Sequence, residues 1–328
     1  MENKSFIDLH CHLDGSLSPE TVRELLPPEE LPADDAGLLA LLQVSPRCRD
    51  LTEYLEKFAL PLKGLQTAEN LKLAAYRLIA DASRDDLRYL EIRFAPALST
   101  DAGLDCAEVI DAVLSGVREG ERAFGLPANL IVCAMRHHSF EKNAAMLQAA
   151  RDFLGKGVVA LDLAGDENRY PTAMHAELFL RAKAMGFPFT IHSGEQGSVE
   201  NVALALDLGA KRLGHGIALR KAPALMEKAK EMRAGIEMCP TSNLQTKAVA
   251  SFDDYPMGEF LRRGLLVTVN TDNRTVSGTT SARETAIALK LCGGTFPDLA
   301  DALFKNAVAV SFADDSLKNR LLREAGFC

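Results

Sequence analysis

Two histidines stand one residue apart, His10 and His12, in the stretch FIDLHCHLDG that closes an apolar run near the start of the chain. Residues i and i+2 of a β-strand point to the same side, so both imidazoles can face one metal ion. The pair is also compatible with a polar strand end formed by chance, because two ligands alone do not make a metal site. The rest of the chain has to decide between the two interpretations.

Composition narrows both the class of protein and the kind of metal ligand. The chain has 328 residues, of which 47% are hydrophobic and 25% charged, as is typical of a globular protein. Its seven cysteines form no CxxC pair, so we expect reduced thiols and a metal held by nitrogen and oxygen. A net charge of −8 argues against nucleic-acid binding. With no membrane-spanning apolar run and no signal-like N-terminus, we expect a cytoplasmic protein without a membrane partner.

Short apolar segments recur along the chain and alternate with longer stretches of helical pattern. Ala68–Ser83 and Ser198–Gly209, for example, repeat apolar residues every three or four positions. Eight such β–α units in one chain of this length predict an α/β fold, a closed (β/α)8 TIM barrel. An open doubly wound sheet is the alternative, but no GxGxxG motif follows a strand. The predicted strands are Phe6–Leu13, Tyr89–Ala95, Leu130–Met135, Val158–Ala164, Pro188–Ser193, Arg212–Ile217, Gly235–Cys239 and Leu266–Asn270.

The domain organisation predicted from this pattern is one barrel domain over residues 1–328. A helical insertion follows the first strand at about 26–65, and two or three further helices occupy 281–328. Within the insertion, Leu51, Tyr54, Leu55 and Phe58 recur at helical spacing. This stripe predicts packing in the core or, alternatively, a lid over an apolar ligand, since mobile barrel loops often close sites.

Polar motifs follow the predicted strands at the end where barrel proteins carry their functional residues. HSGEQGS follows the fifth strand and supplies His192, and NTDN follows the eighth and supplies Asp272. His10, His12 and His192 can give a metal three imidazoles, and Asp272 can complete the set because strands one and eight are neighbours in a closed barrel. Taken alone, Asp272 is more readily a turn or capping residue, but three histidines at the same rim favour the metal ligand.

Two further ionisable residues lie at the same predicted rim. Glu195 follows the fifth strand and His215 stands between two glycines after the sixth, so both could transfer protons beside the metal. The alternatives are a charge at a helix N-terminus for Glu195 and a buried structural histidine for His215. The fourth strand ends without a lysine that could bridge two metals, which favours a single ion. We expect three other histidines to be structural: His137, His138 and His175.

Seven motifs occur together and in order: DLHCHLDGS, EIRFAP, VVALDLAGDE, HSGEQGS, RLGHG, EMCPTSN and VTVNTDN. They extend from Asp8 to about Gly278 and resemble those of the adenosine deaminases, in the metal-dependent amidohydrolase superfamily. The resemblance implies hydrolysis of the 6-amino group of adenosine or 2'-deoxyadenosine, giving inosine or deoxyinosine and ammonia. It further implies a purine nucleoside as the small-molecule partner and one zinc ion as cofactor, other divalent metals being possible. It does not imply an oligomeric state.

The resemblance also assigns roles residue by residue. Glu195 would protonate N1 of the purine, and His215 would orient or deprotonate the attacking water. Gly165 would donate its backbone N–H to N3, and Asp14 would contact the ribose 5'-hydroxyl. The zinc ligands that it implies are His10, His12, His192 and Asp272, and the substrate-binding residues are His12, Asp14, Gly165 and Asn273.

One departure from the family pattern concerns substrate choice. The best-known members carry two aspartates and a proline after the eighth strand, where this chain has Asp272, Asn273 and Arg274. An amide at Asn273 can donate to purine N7 without having to be protonated, so adenine recognition is retained. Arg274 would form a surface ion pair or, alternatively, contact an anionic substituent on the substrate. The remaining alternatives are a sibling deaminase of adenine, of a 5'-modified adenosine such as aminodeoxyfutalosine or of another 6-aminopurine compound, and a non-catalytic binding homologue.

Overall fold

The computed structural model describes residues 6–327, in which eight parallel strands form a closed barrel. The strands pair in the orders β1-β2-β3-β4 and β5-β6-β7-β8. Bridges from Leu161 to Phe189 and from Cys11 to Asp272 join the two halves, so the predicted TIM barrel is confirmed. The strands are β1 Phe6–His12, β2 Leu87–Phe94, β3 Ala128–Met135, β4 Val158–Ala164, β5 Thr190–Ser193, β6 Arg212–His215, β7 Gly235–Met238 and β8 Leu266–Val269.

The fourth strand has the predicted ends, and the other seven differ from the prediction by one or two residues at one or both ends. The fifth strand begins at Thr190 instead of Pro188, because proline has no N–H to donate to a ladder. The sixth strand ends at His215 instead of Ile217. Gly216 has φ +65°, which turns the chain out of the extended conformation.

The helices lie outside the barrel, and their ends follow ordinary capping chemistry. Thr67 accepts a hydrogen bond from the Asn70 N–H at the start of α5, and Gly209 ends α9 with φ +99°. The α-helices are α1 Pro19–Leu25, α2 Asp35–Leu42, α3 Leu51–Leu55, α4 Ala59–Gly64, α5 Ala68–Ser83, α6 Cys106–Phe124, α7 Phe140–Ala150, α8 Ala176–Ala184, α9 Val199–Leu208, α10 Pro223–Glu231, α11 Pro240–Gln245, α12 Met257–Arg262, α13 Ser281–Cys292, α14 Leu299–Val310 and α15 Asp315–Glu324. In this described part of the chain, no helix is long and apolar enough to cross a bilayer.

The segment between β1 and α5 is helical but broken into short pieces. α3 and α4 are separated by a 3-10 turn at Glu56–Phe58, so the apolar stripe predicted from Leu51 to Phe58 does not lie on one regular α-helix. Pro61 lies in the first turn of α4, where the missing N–H costs no helical hydrogen bond. After β8, the described residues form three helices, α13, α14 and α15, the upper of the two numbers expected.

Glu284 joins one of these helices to the loops beside the barrel. It is fully buried in the first turn of α13. Its carboxyl oxygens accept hydrogen bonds from the Thr241 N–H, at 3.0 Å, and from the Thr279 hydroxyl. Burial raises the pKa of Glu284 to about 7, and the two threonines and Arg283 lower it only in part.

We expect Glu284 to make the fold less stable as pH rises from about 4.5 to about 7. In that window the folded carboxyl keeps a proton that the unfolded one releases, so rising pH favours unfolding by on the order of 3 kcal/mol. Urea unfolding of the wild type and Glu284→Gln at pH 5 and pH 8 checks this. The variant should gain stability relative to the wild type at pH 8 but not at pH 5. An equal difference at both pH values would contradict the expectation.

Candidate metal and proton-transfer site

Four potential metal ligands converge at the carboxyl ends of β1, β5 and β8. They are His10, His12, His192 and Asp272, and one ligand atom of each lies within 4.8 Å of the others. The Nε2 atoms of His12 and His192 are 3.2 Å apart. Asp272 Oδ1 lies 3.3 Å from His10 Nε2 and 3.5 Å from His12 Nε2. The predicted ligands are therefore brought together.

The second nitrogen of two of these histidines is held by a buried carboxylate. His10 Nδ1 lies 2.8 Å from Glu237 Oε2, and His192 Nδ1 lies 2.8 Å from Asp162 Oδ2. A carboxylate at Nδ1 keeps the proton on that atom and leaves the Nε2 lone pair free for a metal. Three imidazole nitrogens and one carboxylate oxygen form the donor set that zinc prefers. The residues present therefore fit a divalent metal ion.

Charges inside the barrel fix these carboxylates in their ionised form. Arg93 donates to Asp162 Oδ2 and to Glu237 Oε2, each at 2.9 Å, and Arg212 also pairs with Glu237. Burial alone would raise the pKa of Glu237, but the two guanidinium groups hold it well below its usual range. Burial likewise opposes ionisation of Asp272, whose pKa the His10, His215 and His12 imidazoles keep low.

Glu195 and His215 lie side by side next to the ligand cluster. Glu195 Oε2 is 3.7 Å from His215 Nε2, and both side chains are buried. Asn243 Nδ2 lies 2.9 Å from His215 Nδ1, while Asn243 Oδ1 accepts the Tyr255 hydroxyl at 2.9 Å. The tyrosine thereby fixes the amide, so that its N–H groups face the histidine. His215 Nδ1 must then accept, and the neutral ring carries its proton on Nε2, towards Glu195.

The backbone at this rim adopts conformations that most residues avoid. His215 and Asp272 have φ values of +64° and +60°, in the left-handed region that costs non-glycine residues energy. A Cβ on Gly214 would stand 3.0 Å from His192 Cα and 3.3 Å from His10 Cε1. The glycine before His215 therefore permits the close approach of strands that gathers the histidines.

A carboxylate from the loop after β4 supports the turn that carries Glu195. Glu167 accepts hydrogen bonds from the N–H groups of Gly194, at 2.8 Å, and Gln196, at 2.5 Å, the two residues that flank Glu195. It also accepts from Asn201 Nδ2 at 3.3 Å. Glu167 is 3% exposed, and its burial raises its pKa.

The ligand cluster forms the floor of a cavity of about 500 Å³. Burial raises the pKa of Asp14 in its wall to about 6. His137 also contributes to the wall, which was not expected, whereas His175 is buried away from solvent. Of the ligand cluster, His10 is fully buried and does not line the cavity. The other predicted site residues all line the cavity: His12, Asp14, Gly165, His192, Glu195, His215, Asp272 and Asn273.

The two residues that depart from the family pattern face different ways. Asn273 lines the cavity, and its Nδ2 donates to Asp272 Oδ1 at 2.7 Å and to Tyr54 Oη at 3.1 Å. Arg274 instead pairs with Asp85 and is not part of the cavity lining in the described chain. The ion-pair interpretation of Arg274 is therefore supported, but the pair is largely buried, with the arginine side chain 9% exposed.

The broken helical segment covers one side of the cavity. Leu55, Phe58 and Leu62 line the cavity, as does Leu51. Leu51 and Tyr54 are also buried in a small apolar cluster with Val276, which follows β8. Part of the stripe therefore packs internally and part lines the cavity, while its action as a lid stays a prediction.

Several residues of the site were not identified from sequence. Four residues that support the site lie within the motifs VVALDLAGDE and EMCPTSN, but the sequence assigns them no role in the site: Asp162, Glu167, Glu237 and Asn243. For Asp162 and Glu237 the available signal was their position, because a charged residue inside an apolar strand is costly unless it has a partner. Glu167 and Asn243 lie outside the strands and gave no such signal. Tyr54 gave no such signal, because its helical spacing agrees with simple packing.

Known proteins resemble the chain over nearly its whole length. The adenosine deaminase family model matches residues 6–325. An adenosine deaminase of Enterococcus faecalis is 42% identical over 317 residues, covering 96% of this chain and 94% of that protein. The crystal structure of an adenine deaminase from Arthrobacter aurescens is 26% identical, with a TM-score of 0.85 over 98% of this chain and 97% of that one. The crystal structure of a zinc-bound amidohydrolase from Burkholderia ambifaria is 23% identical, with a TM-score of 0.87, and the match covers 98% of this chain and 89% of that protein's chain.

Proposed function

The chain belongs to the adenosine deaminase family, and from this premise we propose that one zinc ion serves its hydrolysis of adenosine and 2'-deoxyadenosine. The products are inosine or deoxyinosine and ammonia. The observation that carries the proposal is the convergence of His10, His12, His192 and Asp272 beside Glu195 and His215, at the floor of one cavity. Deamination needs three parts together: a metal site, a proton donor to the ring and a group that orients the attacking water.

His10, His12, His192 and Asp272 would hold the zinc ion. Bound there, zinc supplies a Lewis acid that makes a water molecule nucleophilic at neutral pH. The carboxylates at the Nδ1 atoms of His10 and His192 keep both rings in the ligating tautomer.

Glu195 is the residue proposed to activate the purine. With its carboxyl protonated, it donates to N1, which draws electron density from C6 and makes that carbon open to attack. The C6–O bond then forms and the C6–N bond breaks. Of the two protons that the water gives up, one goes to the amino group, which leaves as ammonia, and the other restores the Glu195 carboxyl. Glu167 holds the backbone on both sides of Glu195 and so keeps the carboxyl aimed at one point of the ring.

His215 is proposed to orient the attacking water rather than to deprotonate it. To act as a base, Nε2 would need a free lone pair, and Nδ1 would then carry a proton facing the Asn243 amide protons. That arrangement places two donors against each other. With the proton on Nε2, His215 instead donates a hydrogen bond to the water and stabilises negative charge on the oxygen.

The remaining site residues are proposed to bind the nucleoside. Gly165 has φ +108°, and its N–H would serve N3 of the purine. The Asn273 amide would donate to N7, and His12 would border the ring. Asp14 would accept the ribose 5'-hydroxyl, and a carboxyl there disfavours a 5'-phosphate. Arg274 is engaged by Asp85 and so offers no cation to an anionic substituent. These contacts favour a free nucleoside over a nucleotide.

We further propose that the chain acts as a single catalytic domain, since the family model spans residues 6–325. We place it in the cytoplasm because the six cysteines of the described part of the chain are all unpaired, as is usual where thiols are kept reduced.

The experiment that tests the function follows the loss of ultraviolet absorbance on deamination. Adenosine, deoxyadenosine, adenine, 5'-methylthioadenosine, AMP and aminodeoxyfutalosine are compared with zinc-loaded protein. Conversion of the first two at rates well above the others supports the proposal. Turnover of only another compound would assign a different substrate, and no turnover of any of the six by zinc-loaded protein would contradict deamination of adenosine.

A substitution at Phe58 tests whether the segment over the cavity contributes to substrate binding. We expect Phe58→Ala to raise KM for adenosine about three- to tenfold, because the ring covers apolar surface in the cavity. kcat should change little, since this contact is the same in the ground and transition states. Leu60→Ala is the matched control, as Leu60 packs against the barrel core and should lower stability alone. An unchanged KM for Phe58→Ala would assign the residue to packing.

A further inference from the structure

Tyr54 connects the segment over the cavity to the end of β8. It belongs to α3, and its side chain is 2% exposed. Its hydroxyl lies 2.6 Å from Ser277 Oγ and accepts a hydrogen bond from Asn273 Nδ2 at 3.1 Å. The tyrosine ring packs in a cluster separate from the barrel core, formed by Val44, Cys48, Leu51 and Val276. One hydroxyl thus joins the cover of the cavity to a residue of its floor.

The neighbours of Asn273 hold its amide in one orientation. Both N–H groups are used, one by Asp272 Oδ1 at 2.7 Å and the other by Tyr54 Oη. A reversed amide would bring Oδ1 against the Asp272 carboxylate, and two acceptors repel each other. Oδ1 instead faces Gly15, where a Cβ would stand 1.8 Å from it. Only glycine at position 15 leaves room for this orientation.

We propose that Tyr54 is a positioning residue for the purine ring and acts through Asn273. The inference rests on the proposed function, in which the Asn273 amide donates to N7. The N–H held by Asp272 makes the shorter bond, so the N–H that faces Tyr54 is the one a purine in the cavity can share. The Tyr54 hydroxyl holds the amide plane before the ring arrives, and a group oriented in advance binds without an ordering cost.

A double-mutant cycle tests whether Tyr54 acts through Asn273. Tyr54→Phe keeps the ring and removes only the hydroxyl, so we expect kcat/KM for adenosine to fall about tenfold. In an Asn273→Ala background the same change should cost less than about twofold, because the coupled partner is gone. Ser277→Ala is the matched control. It removes the other partner of the hydroxyl, leaves Asn273 in place, and should cost less than about threefold.

A binding measurement gives a readout that does not depend on turnover. Inosine and 7-deazainosine differ at the ring atom that accepts from Asn273, and calorimetry gives the dissociation constant of each. The wild type should prefer inosine, and Tyr54→Phe should lose most of that preference. Zinc content is measured for every variant and should match the wild type. Melting temperatures are also measured, and each variant should stay folded at the assay temperature although it loses buried hydrogen bonds. If Asn273→Ala turns over adenosine too slowly for an assay, the dissociation constants of inosine and 7-deazainosine complete the double-mutant cycle.

Three outcomes would overturn the inference. In the first, Tyr54→Phe leaves both kcat/KM and the preference for inosine unchanged. In the second, Tyr54→Phe lowers kcat/KM as much in the Asn273→Ala background as in the wild type. In the third, Ser277→Ala lowers kcat/KM as much as Tyr54→Phe does. The last result would show that the hydroxyl supports the loop rather than the amide. A wild type without activity on adenosine would contradict the proposed function, whereas an active wild type with an unaffected Tyr54→Phe variant would contradict this inference alone.

Discussion

Glu195→Gln should lower kcat for adenosine by about 10²- to 10⁴-fold, the range usual for loss of a positioned proton donor. Glutamine keeps the shape of the side chain and can donate a hydrogen bond to N1, but it cannot transfer the proton. The glutamine side chain therefore binds the purine ring without activating C6. Steady-state kinetics give kcat, while zinc content and the inosine dissociation constant should stay close to those of the wild type.

Glu200→Gln is the control for this substitution. Glu200 is an exposed carboxylate in the first turn of α9, five residues further along the same loop and helix. Removing its charge alters the local electrostatics without touching the cavity, so kcat should change less than about twofold. If Glu195→Gln kept more than about a tenth of wild-type kcat, a different group would have to protonate the purine.

The metal ligands could be predicted from sequence because their geometry follows from two general rules. Alternate residues of β1 share one side, which pairs His10 with His12. Parallel strands in a barrel end at one rim, which brings His192 and Asp272 to that pair. Asp272 also takes the left-handed conformation, with φ +60°, which aspartate adopts more readily than most residues but which the sequence does not specify at one position.

The support for those ligands could not be predicted in the same way. Arg93, Asp162 and Glu237 lie on three different strands, and no spacing in the sequence relates them. Their pairing depends on the register and tilt with which the strands close the barrel. The role of Tyr54 was likewise hidden, because a ring at helical spacing predicts packing whether or not its hydroxyl has a partner.

Glu237 is the residue on which this internal support depends most. It is fully buried, and each carboxylate oxygen accepts from two donors. Oε1 accepts from Thr190 Oγ1 and Arg212 Nε, while Oε2 accepts from Arg93 Nη2 and lies against His10 Nδ1. An amide at this position would place an NH2 group against two donors whichever way it turned.

We expect Glu237→Gln to lower the free energy of unfolding by about 3–5 kcal/mol, because it leaves two buried guanidinium groups short of a counter-charge. Urea unfolding of the metal-free protein measures this effect. Zinc affinity should also fall, by about 10- to 100-fold, because His10 loses the carboxylate that orients its ring. Competition with a chelator of known affinity measures this second effect.

Glu259→Gln is the control for Glu237→Gln, because it removes a carboxylate near the surface instead of a buried one. Glu259 pairs with Arg263 across one turn of α12, and both side chains are about one-third exposed, so the expected cost is below about 0.5 kcal/mol with no change in zinc affinity. A Glu237→Gln variant as stable as Glu259→Gln would show that the buried arginines are compensated by Glu91 and Asp162 alone. If Glu237→Gln kept wild-type stability but bound zinc more weakly, the role of Glu237 would be limited to orienting His10. Because the charge network and the histidine share one carboxylate, we expect stability and metal affinity to fall together.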